Sequence, residues 1–274
     1  MSTSKERLDV LLVEQAYYES REKAKAAIMA GLVIVDGEKI DKAGTKVSRE
    51  AAIQVKGAVH PYVSRGGLKL EKAIRTFGLD LTGAVLIDIG ASTGGFTDCA
   101  LKNGASYVYA IDVGYNQLDW SLRSDSRVNV MERTNFRYTQ PSDLQGPAPT
   151  FASIDVSFIS LKLILPPLRA LLAPGGLVAA LVKPQFEAGR EKVGKSGVIR
   201  DSSVHSEVLS GVLGFASSIG YGIKGLTFSP ITGGEGNIEF LALLSLDGAE
   251  AGALTETETE RLIEETVAAA NEAF

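Results

Sequence analysis

The first 60 residues switch between helical and extended patterns over short distances. Apolar residues recur at helical spacing over residues 8–16, and Ser20 is placed to cap a second helix of about ten residues. Gly31 is placed to end that helix, and the pair Asp36-Gly37 predicts a tight hairpin turn between two short strands. The pattern therefore predicts a small α+β domain, with the order helix, helix, hairpin, over residues 1–60.

Residues 81–246 alternate short apolar runs with helical patterns. The apolar runs lie at residues 84–89, 107–111, 128–131, 151–155, 176–182 and 240–246. Helical patterns fill the intervals, most clearly over residues 161–172 and 203–219. Regular alternation of this kind predicts an α/β fold with a parallel, doubly wound, Rossmann-like sheet.

Two further segments complete the predicted organisation. Residues 61–80 are interpreted as a linker and the leading helix of the larger domain. Residues 247–274 form an acidic segment in which Thr255 and Glu258 have the spacing of a capping box, so a final helix to about residue 273 is expected.

Composition places the chain among ordinary globular proteins, since 45% of its 274 residues are hydrophobic and 22% are charged. The net charge of −5 is unevenly distributed, because the acidic final segment carries much of it. A binding face for phosphates depends on local charge, so nucleic acid is not excluded as a partner. Two local basic clusters stand out. They are Lys56, Arg65, Lys69, Lys72 and Arg75, and Arg190, Lys192, Lys195 and Arg200.

Several classes of protein are excluded or disfavoured. Cys99 is the only cysteine, so no intramolecular disulfide is possible, and it is interpreted as a packed small hydrophobic residue. His60 and His205 are far apart and lack cysteine partners, so no metal site is predicted. No uninterrupted apolar stretch has the roughly 20 residues that a membrane helix needs. The charged first residues do not resemble a secretory signal, and the cytoplasm is the expected compartment.

A glycine-rich turn follows the first strand of the larger domain. Residues 90–96 read Gly-Ala-Ser-Thr-Gly-Gly-Phe and lead into a helix, which is the arrangement of a nucleotide site. Ser92 occupies the second glycine position of a dinucleotide fingerprint, which disfavours a nicotinamide cofactor. Asp112 ends the next strand, where a carboxylate can hold a ribose. Asp88, the turn and Asp112 follow the pattern of S-adenosylmethionine (SAM) enzymes, with Asp88 and the turn at the methionine end and Asp112 at the ribose.

Four charged residues are placed where a reaction centre is expected. Asp155 and Lys183 each follow an apolar strand, and Glu239 precedes one. Lys69 lies on the leading helix, after a pair of glycines that permits close packing. A carboxylate in an apolar context needs a cation, and ligands of such sheets bind at the carboxyl ends of the strands. Two lysines and two carboxylates are therefore expected to share one cleft.

The front domain resembles the S4-type RNA-binding domain. The matching residues are Arg7-Leu8-Asp9, Leu12, Ser20-Arg21, Ala24, Ile28, Gly31, Val33, Val35-Asp36-Gly37 and Lys42. Tyr17 departs from the family pattern, which often has glycine nearby. The second helix also carries positive charge just behind its N-terminus, where phosphate binding is favoured. The residues predicted to contact RNA here are Arg7, Ser20, Arg21, Lys23 and Lys25.

The larger domain resembles the FtsJ-type ribose 2′-O-methyltransferases, whose Lys-Asp-Lys-Glu tetrad corresponds to Lys69, Asp155, Lys183 and Glu239. Further motif matches lie at residues 62–70, 88–98, 132–135, 155–161 and 182–187. With its front domain, the chain resembles the TlyA family, whose members are described both as hemolysins and as ribosomal RNA (rRNA) 2′-O-methyltransferases.

This resemblance implies SAM as the cofactor and rRNA within ribosomal subunits as the substrate, with large-subunit rRNA as the first candidate and small-subunit rRNA as the second. The expected SAM-binding residues are Asp88, Gly90, Ala91, Ser92, Thr93, Gly94, Gly95, Phe96, Asp112, Val113, Thr134, Asn135 and Asp155. Of these, Thr134 and Asn135 are implied to lie near the adenine.

The residue types suggest a division of roles. Lys183 is expected to contact the target hydroxyl and to accept or relay its proton, while Asp155 orients Lys183 beside the sulfonium. Lys69 and Glu239 are expected to hold the ribose and to balance charge. The residues of the larger domain predicted to contact RNA are Arg65, Arg190, Lys192 and Lys195.

Three alternative functions differ in what they require. An RNA-binding assembly factor without catalysis would need the front domain but not the tetrad. A pore-forming hemolysin would need a membrane-inserting segment, and none is found in the sequence. A nicotinamide-dependent oxidoreductase is the enzymatic alternative, which Ser92 disfavours.

Overall fold

The computed structural model describes nine stretches of the chain. They are residues 5–15, 17–18, 20–49, 51–55, 60–189, 191–194, 197–233, 236–246 and 252–274. The chain divides into two compact units, Met1–Pro61 and Tyr62–Phe274.

In its described residues, the first unit has two helices and five short strands. The helices are α1 (Leu8–Glu14) and α2 (Arg21–Met29), and the strands are β1 (Lys5–Arg7), β2 (Val33–Val35), β3 (Glu38–Ile40), β4 (Lys46–Ser48) and β5 (Ile53–Val55). The predicted cap is confirmed, because the side chain of Ser20 accepts the backbone N–H of Lys23 at 3.3 Å. The predicted β2–β3 hairpin is also confirmed.

Two strand pairings of this unit go beyond the predicted helix, helix, hairpin order. Strand β5 pairs with β2 in antiparallel orientation, and β1 pairs with β4. Each of these strands has three residues, which is too short for the alternation of apolar and polar positions to identify a strand.

A buried carboxylate links two arginines of the first unit. Asp9 has no exposed surface. Its two oxygens accept bonds from Arg7 Nε at 2.9 Å and from Arg21 Nη2 at 2.8 Å. The hydrogen bonds from Arg7 and Arg21, and the positive charges of both arginines, lower the pKa of Asp9 to about 2. The carboxylate therefore stays ionised in the folded unit and fixes both guanidinium groups.

The lowered pKa of Asp9 makes the stability of the first unit depend on pH. The usual pKa of an aspartate is close to 4, so the stabilising contribution is complete above that pH and is lost as the pH falls through about 2. Because both arginines are half exposed, we expect a loss of about 1–2 kcal/mol. Urea unfolding, followed by NMR signals of the first unit, should show the free-energy difference between wild type and Asp9→Asn shrinking over this range. A difference that is independent of pH would contradict the prediction.

A seven-stranded sheet organises the second unit. Its strands are β6 (Val85–Ile89), β7 (Tyr107–Ile111), β8 (Val128–Met131), β9 (Phe151–Ile154), β10 (Leu177–Val182), β11 (Gly222–Phe228) and β12 (Phe240–Ser245). The spatial order is β11-β12-β10-β9-β6-β7-β8. The five strands from β10 to β8 are parallel, which confirms the predicted α/β, doubly wound class.

The prediction of a wholly parallel sheet is wrong at one edge. Strand β12 is antiparallel to both β10 and β11. Strand β11 was not predicted, and no helix is described between it and β12. A parallel connection needs a long crossover, usually a helix, so these two consecutive strands form an antiparallel hairpin.

Seven helices accompany the sheet in the described residues of this unit. They are α3 (Gly66–Phe77), α4 (Gly95–Lys102), α5 (Trp120–Arg123), α6 (Leu165–Leu168), α7 (Pro184–Glu187), α8 (Ser202–Ser218) and α9 (Glu256–Ala273). The capping box at Thr255 is confirmed. The long helix predicted over residues 161–172 is wrong: a 3₁₀ turn at Leu161–Leu163 precedes the four-residue α6, because Pro166 and Pro167 lack backbone N–H groups. No helix of the described residues combines the length and apolar character needed to cross a bilayer.

Each face of the sheet has its own hydrophobic core. Along β6, Val85, Ile87 and Ile89 pack into one core with residues of α6, α8 and α9. Leu86 packs into the other core, with residues of α3, α4 and α5. Successive side chains of a strand point to opposite faces, so burial on both faces explains why the central strands are continuously apolar.

Candidate active site

The glycine turn after β6 forms one wall of a cavity. The cavity has a volume of about 540 Å³ and lies at the carboxyl ends of β6, β9 and β10. Six of the predicted SAM-binding residues of the turn line it, namely Gly90, Ala91, Ser92, Thr93, Gly95 and Phe96. Gly94 does not line it. A Cβ atom built on this residue would point at the side chains of Leu118 and Leu122.

Asp112 holds the glycine turn in place. Its carboxylate accepts the backbone N–H of Ser92 at 2.8 Å and that of Gly114 at 2.6 Å. Ser92 has a left-handed backbone with φ +49°, which matches its place at a position where the dinucleotide fingerprint has glycine. Each carboxylate oxygen has more than one acceptor site, so Asp112 can hold the turn and still accept a ligand hydroxyl.

Asp88 lies beneath the turn and does not line the cavity. It has no exposed surface, and its oxygens accept the hydroxyls of Thr97 at 2.7 Å and Ser153 at 2.9 Å. Burial raises the pKa of Asp88 to about 6. Asp88 thereby joins β6 to α4 and β9, and it supports the turn from below. The sequence had suggested that Asp88 faces the ligand, but the residue does not line the cavity.

The residues expected near the ribose and adenine lie beyond Asp112, outside the lining of the cavity. The backbone N–H of Thr134 donates to the carbonyl of Asp112 at 2.9 Å. The side chain of Asn135 accepts the backbone N–H of Arg137 at 3.2 Å and caps a 3₁₀ turn. Val113 is 71% exposed. These residues surround the carboxyl end of β7, next to the turn.

Close packing of two helices brings Lys69 to the cavity. A Cβ atom on Gly95, the first residue of α4, would lie 2.8 Å from the backbone nitrogen of Gly67 in α3. Only glycine permits this approach. The glycine pair of α3 was expected to permit close packing, and Gly66 packs against Gly95 and Phe96 at the start of α4. Lys69 follows in α3 and lines the cavity.

The four residues of the predicted tetrad meet in this cavity. Lys183 Nζ lies 2.5 Å from Asp155 Oδ1, and Lys69 Nζ lies 3.6 Å from Asp155 Oδ2 and 2.6 Å from Glu239 Oε2. The order of contact is therefore Glu239, Lys69, Asp155, Lys183. Two amines and two carboxylates alternate, so the row is formally neutral.

Burial makes this row sensitive to the loss of a member, most of all where the partner left behind is fully buried. Lys69 and Lys183 are each 8% exposed, and Glu239 is 2% exposed. Removing one partner of a buried ion pair leaves an uncompensated charge, which costs several kcal/mol. Asp155 is the most exposed member of the row, with 20% of its side chain accessible.

Several residues that line the cavity were not predicted from the sequence. Ser157 accepts a hydrogen bond from Lys183 Nζ at 3.1 Å. Ser64 lies before α3, and Thr232 and Gly233 lie on the segment before Glu239. The position of Ser157, two residues after Asp155, was the one available signal in the sequence.

The predicted RNA contacts of the second unit have different surroundings. Arg65 is exposed and lines the cavity. Lys192 forms an ion pair with Glu207 of α8. Arg190 and Lys195 lie outside the described residues, as does Lys56 of the first basic cluster.

The remaining basic residues of the two clusters also differ from one another in their contacts and exposure. Lys72 lies over the ring of Phe228, and Arg75 pairs with Glu71. Arg200 is exposed. These surroundings indicate that charge clustering in the sequence did not by itself identify a common basic face.

In the first unit, the predicted RNA contacts lie on and around α2. Arg7 and Arg21 share Asp9, and the side chain of Ser20 acts as the cap of α2. Lys23 is exposed and Lys25 is partly exposed.

Comparison with known proteins identifies two families in one chain. The S4 domain model matches residues 6–53, and the FtsJ-like methyltransferase model matches residues 62–246. "Putative rRNA methyltransferase YqxC" from Bacillus subtilis is 59% identical over 267 residues, which are 97% of this chain and 95% of the relative. "16S/23S rRNA (cytidine-2'-O)-methyltransferase TlyA" from Mycobacterium tuberculosis is 40% identical over 239 residues, which are 87% of this chain and 89% of the relative.

A solved structure covers both units. The "Putative hemolysin from Streptococcus thermophilus" has 53% sequence identity and a TM-score of 0.77, and the match covers 100% of this chain and 98% of that one. The two family models occur in the expected order, and the relatives match along most of their length. The chain belongs to the TlyA family, with an S4 domain followed by an FtsJ-like methyltransferase domain.

Proposed function

We propose that this protein transfers a methyl group from SAM to a ribose 2′-hydroxyl of rRNA in ribosomal subunits. The observation that carries the proposal is the row Glu239, Lys69, Asp155, Lys183, which lines the same cavity as the glycine turn. The names of the relatives from B. subtilis and M. tuberculosis support rRNA as the substrate class and the ribose 2′-oxygen as the acceptor.

The cavity suits SAM in size and in the chemistry of its walls. Its volume of about 540 Å³ falls in the usual range for small-molecule sites. Small residues of the turn allow close approach of a ligand to the backbone, and the N-terminus of α4 favours a carboxylate. The turn from Gly90 to Phe96 would hold the methionine end, with Asp112, Val113, Thr134 and Asn135 toward the ribose and adenine. When bound, SAM supplies a methyl group on a positively charged sulfur.

Lys183 and Asp155 are the central pair of the proposed mechanism. A ribose hydroxyl is a weak nucleophile, so the protein must align it with the methyl group and remove one proton. Lys183 would contact the hydroxyl oxygen and take up or relay the proton. Asp155 fixes Lys183 through the 2.5 Å contact, and its negative charge would favour the positively charged sulfur of SAM.

Lys69 and Glu239 complete the row. Lys69 balances the charges of Asp155 and Glu239 through its contacts at 3.6 and 2.6 Å. Their place in the cavity wall supports a role in holding the ribose of the target nucleotide. In this arrangement, positioning supplies most of the rate enhancement, since the methyl donor itself is reactive.

The first unit would supply much of the RNA affinity. Asp9 uses only some of the five N–H donors that each of Arg7 and Arg21 carries. The remaining donors of the two half-exposed arginines would contact phosphates, and the exposed Lys23 lies on the same helix as Arg21. Binding through such contacts weakens as salt rises. The target nucleotide would be turned out of its helix to reach Lys183.

The direct test is transfer of tritiated methyl groups from SAM to ribosomal subunits that lack the modification. We expect label in rRNA, and mapping should locate it on a ribose 2′-oxygen. Separate assays on large and small subunits identify the substrate. Binding to subunits without transfer of label would favour a non-catalytic assembly factor and would contradict the proposal.

Deleting residues 1–60 tests the division of labour between the units. We expect activity on ribosomal subunits to fall by at least a hundredfold, because the phosphate contacts of the first unit are lost. The affinity for SAM, measured by calorimetry, should stay within about threefold, because the second unit has its own cores. Loss of both properties would instead assign a structural role to the first unit.

A further inference from the structure

The amine of Lys183 has two of its hydrogen-bonding directions occupied. An amine nitrogen has four tetrahedral directions, of which the bond to Cε takes one. Asp155 Oδ1 at 2.5 Å takes the second, and Ser157 Oγ at 3.1 Å takes the third. Among the described residues, no hydrogen-bond partner takes the fourth direction, and the centre of the Phe186 ring lies 5.9 Å from the amine nitrogen. Since Lys183, Asp155 and Ser157 all line the cavity, a substrate oxygen in the cavity can occupy this direction.

The segment that carries Ser157 is anchored at both ends. It lies in the segment between β9 and the 3₁₀ turn at Leu161–Leu163. At the start of the segment, the backbone N–H of Asp155 donates to the carbonyl of Ile89 at 3.0 Å. Near its end, Glu187 accepts the hydroxyl of Ser160 at 2.6 Å and the backbone N–H of Leu161 at 2.7 Å.

Glu187 also ties this segment to Lys183. Helix α7 (Pro184–Glu187) begins directly after Lys183, so the same short helix that follows the lysine accepts hydrogen bonds from the serine-bearing segment. Lys183 and Ser157 therefore belong to two segments that are fixed to each other. The 3.1 Å contact between their side chains is a consequence of this fixed geometry.

We propose that Ser157 is a positioning residue for methyl transfer: together with Asp155, it orients the Lys183 amine so that its remaining direction meets the ribose hydroxyl. This inference rests on the function proposed above and adds one residue to its reaction centre. The same orientation is needed whether the amine donates a hydrogen bond to the ribose hydroxyl oxygen or accepts the proton of that hydroxyl. Asp155 alone leaves the amine free to pivot about the line between Nζ and the carboxylate oxygen, and the second contact restricts that motion.

The test compares Ser157→Ala with Ser157→Thr, which keeps the hydroxyl. Methyl transfer to ribosomal subunits is measured at saturating SAM over a range of subunit concentrations. We expect Ser157→Ala to lower kcat about tenfold, with the KM for subunits and the Kd for SAM within twofold of wild type. Ser157→Thr should retain at least a third of the wild-type kcat. Ser142→Ala, an exposed serine between β8 and β9, is the matched control and should behave as wild type.

A double-mutant cycle with Lys183→Met distinguishes positioning from a general structural effect. If Ser157 acts through the Lys183 amine, Ser157→Ala should cause less than a twofold further loss once that amine is absent. Circular dichroism checks that each variant folds. An undiminished kcat for Ser157→Ala, an effect confined to KM, or a full tenfold loss in the Lys183→Met background would overturn the inference. Failure of the proposed function is a separate result, because the wild type itself would then transfer no methyl groups.

Discussion

We expect Lys183→Met to lower kcat for methyl transfer to ribosomal subunits by about a thousandfold, within the range of a lost general acid or base. Methionine keeps an unbranched side chain as far as the ε carbon and removes the amine that faces the cavity. The affinity for SAM should remain within about threefold, because the glycine turn does not depend on Lys183. Single-turnover transfer of labelled methyl groups measures the rate, and calorimetry measures SAM affinity.

Stability measurements on Lys69→Met sharpen this prediction. Glu239 is 2% exposed, and Lys69 is the cation that it contacts among the described residues. Lys69→Met should therefore lower the free energy of unfolding by about 3–5 kcal/mol as well as the activity. Lys183→Met should cost only about 1–2 kcal/mol, because Asp155 is partly exposed and keeps its contact with Lys69.

Lys72→Met serves as the control for both variants. Lys72 also lies on α3, but it contacts Phe228 instead of the tetrad, so activity should stay within twofold of wild type. A Lys183→Met variant with wild-type kcat would contradict the assigned role. A Lys183→Met variant that loses activity and SAM affinity together would indicate a disturbed cavity instead of a missing amine.

The meeting of the tetrad residues in one cavity could be predicted in part because parallel strands end at one edge of a sheet. Asp155 and Lys183 follow adjacent strands, β9 and β10, so the apolar runs before them were enough to bring them together. The position of Lys69 was harder to predict, since this residue lies on a helix and does not follow a strand. Its inclusion depended on the need of buried carboxylates for cations and on the resemblance to the tetrad.

Features that depend on contacts distant in sequence could not be predicted in the same way. Asp88 and Asp112 were both expected to face a ligand, but nothing in the local pattern revealed that hydroxyls of α4 and β9 would surround Asp88. The pairing of Lys192 with Glu207 was hidden for the same reason. The break in the helix predicted over residues 161–172 is different, because Pro166-Pro167 was a readable signal.

The orientation of the last two strands illustrates a further limit. An apolar run predicts a strand, but its direction follows from the connection before it. The run at residues 240–246 was identified, whereas β11 contains glycines and a lysine and has a weaker pattern. Without β11, nothing in the sequence marked the hairpin that makes β12 antiparallel.

The second large effect is expected for Gly90→Ala, which should lower activity at least a hundredfold and weaken SAM binding. Gly90 has φ +85°, in a region that L side chains rarely adopt. An added Cβ would also lie 3.0 Å from the carbonyl carbon of Asp155 and closer still to its oxygen. Those atoms belong to the backbone and cannot rotate away, so either the turn or the end of β9 must move.

Such a shift acts on both halves of the site at once. Moving the turn displaces the wall that would hold SAM, and moving Asp155 disturbs its contacts with Lys69 and Lys183. We expect the free energy of unfolding to fall by about 3 kcal/mol, from the left-handed conformation and the overlap together. Urea unfolding, SAM calorimetry and methyl transfer measure the three effects.

Gly214→Ala is the matched control. Gly214 is exposed in the middle of α8, and a Cβ there meets no atom within 4 Å. Alanine should stabilise that helix by roughly 0.5–1 kcal/mol and leave activity unchanged. If Gly90→Ala behaved like Gly214→Ala, the close approach of the turn to Asp155 would not be what couples the donor site to the tetrad. The opposite responses that we expect follow from one structural difference, because at Gly90, but not at Gly214, the backbone of Asp155 occupies the space of a side chain.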